Sequence, residues 1–351
     1  MGSLRIAVAG AGGIGRQHIE RILRSTECRL AAIVDPAPGA AEIAAKAAVP
    51  LYATLAELFA KDRPDGVILA TPNAMHVEHG LACVAAGVPA LIEKPLADSI
   101  EAGERLCAAA ERAKVTLLTG HHRQHSPIMA KAVEIVRSGR LGRLVAVVGT
   151  AMFCKPDHYF DDAPWRRQPG GGPILINLIH EIGNLRALCG EVTAVQAFAS
   201  QAVRGFPVED TAAIGLRFAN GALGTFMLSD TAASARSWEQ TSQEDKSYPT
   251  YPDEDCYVVA GTDGSLAIPT MRLKTYAKPA DRSWWKPFQN ETVGIERADP
   301  LDKQLANFCA VIRGEAAPVV TARDGLQNLR VVEAIAQAAR SGSIVSLADR
   351  T

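Results

Sequence analysis

Six residues near the amino terminus carry the first chemistry. Gly10-Ala11-Gly12-Gly13-Ile14-Gly15 has the spacing GxGxxG, follows an apolar run at residues 4–9 and opens a helical pattern. Gly10 permits a tight turn there, Gly12 lets the backbone approach a pyrophosphate, and Gly15 allows a helix to lie close on a strand. The N–H groups at the helix start, around Gly13 and Ile14, then face the phosphates. Asp35 closes the second apolar run, 25 residues after Gly10. A carboxylate at that point grips the ribose hydroxyls and repels a 2′-phosphate, so the expected cofactor is NAD rather than NADP. A second group stands at residues 170–184, GGGPILINLIHEIGN. The glycines before Pro173 mark a helix start with proline in its first turn. At 3.6 residues per turn Asn177, His180, Glu181 and Asn184 share one face of an otherwise apolar helix. Polar groups so placed need partners, which an active-site crevice supplies. An imidazole such as His180 suits acid–base work near neutrality.

These groups need a frame. Residues 4–9, 30–34, 66–70, 90–92 and 115–119 read as strands apolar on both faces, as buried parallel strands are. Helical patterns at 14–24, 39–47, 54–60, 74–86 and 99–113 alternate with them, which predicts a doubly wound parallel sheet of the Rossmann type. The rhythm changes after about residue 140. Strands at 144–152 and 193–200 flank one helix, 173–188. Runs 211–219 and 222–229 flank Asn220-Gly221, a dipeptide suited to a type I′ hairpin, and 257–260 and 265–268 flank a second Gly-rich turn. Consecutive hairpins imply an antiparallel sheet in an α+β domain. The expected division is 1–122 for cofactor binding and 123–351 for substrate and oligomerisation, with helices at 301–313 and 323–340 able to pack on either part. The polar stretch 231–255 reads as a flap or interface loop.

Bulk properties exclude other classes. With 37 basic and 38 acidic residues in 351, the chain offers no footprint for nucleic acid or an acidic membrane. Seven scattered cysteines without a CxxC pair argue against disulfide frameworks and zinc knuckles. No apolar run approaches the ~20 residues of a membrane span, and a first strand so near Met1 leaves no room for a signal peptide. A cytoplasmic setting is expected. HHRQH at 121–125 lacks a carboxylate or cysteine at ligand spacing, so no metal is expected.

Three further segments, read with the glycine fingerprint, resemble the Gfo/Idh/MocA family, the glucose–fructose oxidoreductase and inositol dehydrogenase group. They are Ala70-Thr71-Pro72-Asn73-Ala74-Met75-His76, Glu93-Lys94-Pro95, and the glycines before the His180 helix. The resemblance spans nearly the whole chain. It implies a Rossmann domain, a second domain with an open-faced antiparallel sheet, and dimers or tetramers built through that sheet. It also implies cofactor contacts at Thr71, Pro72, Asn73, His76, Glu93, Lys94, Trp165 and Arg166, and substrate contacts at Lys94, His121, His122, Arg123, Asn177 and His180. Lys94 would lie beside the nicotinamide and the substrate hydroxyl. A lysine near that cationic ring loses its proton more readily, which suits it to exchange one with the hydroxyl. The family's usual aspartate four residues before the histidine is Ile176 here, with Asn177 next to it. Asn177 cannot ionise, so the expected proton route runs through Lys94 and His180 while Asn177 orients. The implied activity is hydride transfer between NAD and a hydroxyl-bearing carbon of a sugar, cyclitol or similar polyol. Rivals on the same fold are a glycoside-cleaving enzyme using transient oxidation and a non-catalytic NAD-binding regulator.

Overall fold

A computed structural model describes residues 2–347. The chain forms two compact units. The first runs to His125 and takes up Pro300–Leu329; the second holds Ser126–Asp299 and the chain from Arg330 onward. No helix among the described residues is long and apolar enough to cross a membrane.

In the first unit six parallel strands lie in the order β3-β2-β1-β4-β5-β6. They are β1 (Leu4–Ala9), β2 (Cys28–Val34), β3 (Leu51–Tyr52), β4 (Gly66–Leu69), β5 (Ala90–Glu93) and β6 (Leu117–Gly120). Every residue of β4, β5 and β6 is buried, which is why these strands are mostly apolar instead of alternating, with Glu93 and Thr119 as the buried polar exceptions. The crossovers are α1 (Gly13–Arg24), α2 (Ala40–Ala47), α3 (Leu55–Lys61), α4 (His76–Ala86) and α5 (Ile100–Ala113). Strand order reverses between β1 and β4, so the loops leaving those two strands bound the crevice where such sheets hold ligands.

The carboxyl-terminal segments complete this unit. Helix α11 (Pro300–Ile312) sets Phe308 and Ile312 against Gly66, where a β-carbon would come within 2.8 Å of both side chains. The first turns of α12 (Ala322–Ser341) place Leu326 against Gly103 and Gly325 against Thr119. Glycine is needed at 66, 103 and 325 because neighbouring atoms occupy the space of a side chain.

The second unit is built on nine strands in the order β14-β13-β12-β11-β7-β10-β9-β8-β15. Its elements are α6 (Pro127–Arg137), β7 (Leu144–Met152), α7 (Asp157–Asp161), α8 (Pro173–Ile176), α9 (Leu178–Cys189), β8 (Val192–Ser200), β9 (Thr211–Phe218), β10 (Leu223–Ser229), α10 (Trp238–Thr241), β11 (Tyr257–Gly261), β12 (Gly264–Ile268), β13 (Arg272–Thr275), β14 (Gln289–Thr292) and β15 (Val345–Ser346). The sheet is mixed, not wholly antiparallel: β7 and β10 run parallel and their neighbours antiparallel. Helices α6, α9 and the end of α12 share one apolar core with the inward residues of β7 to β12. On the other face Val145, Val148, Phe198, Leu223 and Met227 are exposed.

Two local expectations are corrected, and the polar loop shows local order. The β9–β10 turn is not type I′, because only Gly221 has a positive φ. Phe218 donates across to Ala222, closing a three-residue loop with its glycine in the left-handed region. The 173–188 helix is broken at Asn177, whose φ of −106° interrupts the spiral between α8 and α9. The polar 231–255 stretch is pinned at its centre: α10 buries Trp238, whose indole donates to Glu244 at 2.9 Å and stacks on Tyr257.

Candidate active site

The glycine loop has the shape its spacing implies. Gly10 adopts φ +91°, and a β-carbon there would sit 2.4 Å from the Ala70 carbonyl oxygen. A β-carbon at Gly15 would fall 1.9 Å from the Gly10 carbonyl oxygen. Both positions exclude side chains because strand and helix backbones meet there. Gly12 and Gly13 instead face open space and are exposed. Gly12 caps α1 without any side-chain hydrogen bond, so the first N–H groups of the helix, at Gly13 and Ile14, remain for an anion. This cradle fits the pyrophosphate of a dinucleotide. Asp35 stands at its edge: Oδ2 accepts from Ala11 N–H at 2.7 Å and Oδ1 from Ala37 N–H at 2.8 Å. Each carboxylate oxygen keeps a lone pair for a ribose hydroxyl.

The loops after β4 and β5 are tied together. His76 is 1% exposed, with Nε2 2.8 Å from the Thr71 carbonyl and Nδ1 2.7 Å from the Pro95 carbonyl. It ties the two loops to each other. Thr71 Oγ1 lies 3.1 Å from His79 Nδ1, while Pro72 and Asn73 are exposed. Glu93 is buried against Gly120, with Oε1 2.8 Å from His18 Nε2 and Oε2 accepting from the Lys94 N–H at 3.3 Å. The carboxylate thus anchors the loop that carries Lys94, which is partly exposed. His121 and Arg123 are buried after β6. Burial, then the Arg123 and Lys94 charges, with His121 and His18 nearby, push the His122 pKa well below the ordinary value. His122 is therefore neutral at pH 7 and suited to hydrogen bonding more than to proton donation.

In the second unit the glycine turn at 170–172 leads into α8. Gly172, at φ +81°, lies against Glu209, whose Oε1 accepts the Ile174 N–H at 2.8 Å and so caps that helix. Burial raises the Glu209 pKa. Trp165 is exposed; Arg166 lies 3.8 Å above the Tyr159 ring and donates to the Tyr159 carbonyl. His180 opens α9, 6% exposed, its N–H bonded to the Asn177 carbonyl at 3.1 Å. The polar face expected of this helix divides. Glu181 accepts from Tyr257 Oη, which itself accepts from Asn184 Nδ2 at 3.2 Å. Glu181 and Asn184 thus satisfy a buried core tyrosine. Asn177 instead receives a hydrogen bond of 2.7 Å from Lys155 Nζ.

Several of these residues escape the motif reading. His18 carries one signal: Gly15, His18, Ile19 and Ile22 form the buried face of α1, and a histidine among them needs a polar partner. Lys155 follows β7, Arg204 and Glu209 share the loop between β8 and β9, and Asp230 follows β10, so no short motif spacing links them.

The family description "Oxidoreductase family, NAD-binding Rossmann fold" matches residues 4–121, and that of the GFO/IDH/MocA C-terminal domain matches 129–267. The chain is 28% identical over 345 residues to the rhizopine catabolism protein MocA of Rhizobium meliloti, covering 95% of this chain and 94% of that protein. It is 26% identical over 350 residues to 1,5-anhydro-D-fructose reductase of Ensifer adhaerens, covering 98% of each. Among solved structures, the WlbA dehydrogenase of Chromobacterium violaceum, in complex with NADH and UDP-GlcNAcA, superposes with a TM-score of 0.78 at 25% identity, over 98% of this chain and 96% of that one. With an NAD(P)-type Rossmann domain followed by the matching second domain, the chain belongs to the Gfo/Idh/MocA family of oxidoreductases.

Proposed function

We propose that the protein is an NAD-preferring dehydrogenase that oxidises, or in reverse forms, a secondary hydroxyl on a sugar, cyclitol or related polyol. The reading draws on the sugar-derived compounds named for its relatives and on the chain's own anchored Lys94 loop. The observation that carries it is the Glu93 carboxylate, buried and held by His18 and Gly120, which fixes Lys94 at the carboxyl end of β5. Parallel sheets present reacting groups there.

In this reading Gly10, Gly12, Gly13, Ile14 and Gly15 hold the pyrophosphate and Asp35 the ribose hydroxyls. Thr71, Pro72, Asn73, Trp165 and Arg166 line the cofactor. NAD, when bound, supplies the hydride acceptor. Lys94 and His180 take the hydroxyl proton as the carbon-bound hydrogen leaves. Asn177 orients the substrate, and His121, His122 and Arg123 contact it through hydrogen bonds. Asp35 makes NAD the preferred dinucleotide, because its charge opposes a 2′-phosphate.

A second copy is the proposed partner. The exposed Val148 and Phe198, 52% and 72% accessible, lie on the sheet face opposite the helices with Leu223 and Met227. A contiguous apolar face of this kind favours a homodimer or homotetramer. The seven free cysteines, six of them buried, suit the reducing cytoplasm as its compartment.

The test is a screen of polyols and sugars with NAD⁺ and with NADP⁺, read as reduced cofactor formed. Stoichiometric NADH from a polyol supports the dehydrogenase. Glycoside cleavage without net NADH supports transient oxidation instead.

A further inference from the structure

Lys155 is held from several sides in the second unit. Its N–H donates to the Asp230 carbonyl at 2.8 Å, and its own carbonyl accepts from Arg204 at 2.8 Å. Arg204 in turn binds the Asp230 carboxylate at 3.0 Å. The lysine side chain is 9% exposed, with its ammonium 4.8 Å from the Tyr159 ring centre and 5.6 Å from that of Phe153. Asp230 Oδ2 is 3.5 Å away. Asn177 Oδ1, at 2.7 Å, is its short hydrogen bond.

An ammonium has no lone pair, so the amide atom facing it must be the oxygen. That fixes which way the carboxamide points. Asn177 sits in the break between α8 and α9, three residues before His180, and among the described residues no protein group accepts from its Nδ2.

We propose that Lys155 is a positioning residue: it holds the Asn177 oxygen inward, so that Asn177 offers substrate only N–H donors and selects an oxygen acceptor. This rests on the dehydrogenase reading above. The selected group is a carbonyl oxygen or a hydroxyl lone pair on the polyol. The arrangement is also sensitive to pH. Burial lowers the Lys155 pKa to about 8, against the opposing pull of Asp230 and Glu239 and with Arg166 adding repulsion. The charged groups facing it are Asp230, Glu239, Arg166 and Glu209, with Arg204 behind Asp230 and the Tyr159 ring beside it. Above about pH 8 the ammonium loses its proton and its hold on the amide oxygen weakens.

Two measurements on the full chain test this. The first needs no substrate. The side-chain NH₂ resonances of Asn177, assigned by their loss in Asn177→Asp, are followed in ¹⁵N-labelled protein across pH. They should move with a midpoint near 8 in wild type and stay still in Lys155→Arg, which does not titrate there. Resonances that ignore pH in wild type, or titrate alike in both, overturn the link.

The second is steady-state oxidation of myo-inositol, D-xylose and D-glucose with NAD⁺. On whichever is turned over, Lys155→Met and Asn177→Ala should each lower kcat/KM by roughly 10-fold, and the double variant no further, since they act as one unit. Lys155→Arg should keep most of the activity and lose the alkaline fall. Losses that multiply in the double variant, or wild-type kcat/KM in Lys155→Met beside an impaired Asn177→Ala, overturn the assignment. If Lys155→Met does not fold, Lys155→Arg decides: an alkaline fall that persists in it refutes the proposal. No turnover of any of the three defeats the dehydrogenase reading as stated, and the resonance titration still decides the role of Lys155.

Discussion

Replacing His18 by leucine tests the anchoring of the Lys94 loop. His18 is 1% and Glu93 6% exposed, and their side chains meet at 2.8 Å. Without the imidazole, the Glu93 carboxylate keeps the longer 3.3 Å bond from the Lys94 N–H and little access to water. A hydrogen bond to a charged group contributes ~1.5–3 kcal/mol, and stranding the buried partner costs a similar amount. Leucine fills the space and recovers part of this by apolar burial, so a net loss of about 2 kcal/mol is expected. For a unit of this size that lowers the melting temperature by roughly 4–8 °C. His18→Gln, which keeps a donor, should recover about half. Thermal unfolding followed by circular dichroism, with and without NAD⁺, reads the effect. Turnover should fall more than NAD⁺ binding, because Lys94 loses its support while the glycine cradle stays intact. His18→Leu melting with the wild type and turning over equally fast would refute the anchoring argument.

Two other outcomes follow from the same geometry. Asp35→Ser should narrow the preference for NAD over NADP by ~10-fold or more, as one opposing charge is removed from the 2′-phosphate; kcat/KM with each dinucleotide checks it, and a wild type using NADP as well as NAD contradicts it. Phe198→Glu combined with Val148→Glu should yield a smaller species in light scattering, by placing charge on an apolar contact face; a monomeric wild type at micromolar concentration contradicts that.

The first unit was largely legible in the sequence because its signals are local. Strands such as Ile6–Ala9, buried throughout, are apolar runs, and the glycine loop is determined by a few adjacent backbones. The second unit was less so. Strands β13 and β14 carry no clear local signal, and the parallel pairing of β7 with β10 joins residues 77 positions apart. The break at Asn177 could not be read either, since nothing in PILINLIH forbids a continuous helix; its side chain is held by Lys155, a tertiary contact. The same holds for His18 and Glu93, 75 residues apart. Periodicity identified the polar face of α9, but only packing shows that Glu181 and Asn184 serve Tyr257.

The central claim is that Lys94 and His180 handle the proton of an oxidised hydroxyl. Steady-state kinetics of Lys94→Ala and His180→Ala, on the polyol that the screen identifies, test it most directly. Each variant should lose ~10²-fold or more in kcat, the scale of a positioned acid–base group, with NAD⁺ affinity and melting temperature near wild type. The double variant should lose far less than the product of the two, because both serve one proton path. Near wild-type turnover in either single variant would remove that residue from the mechanism and contradict the account.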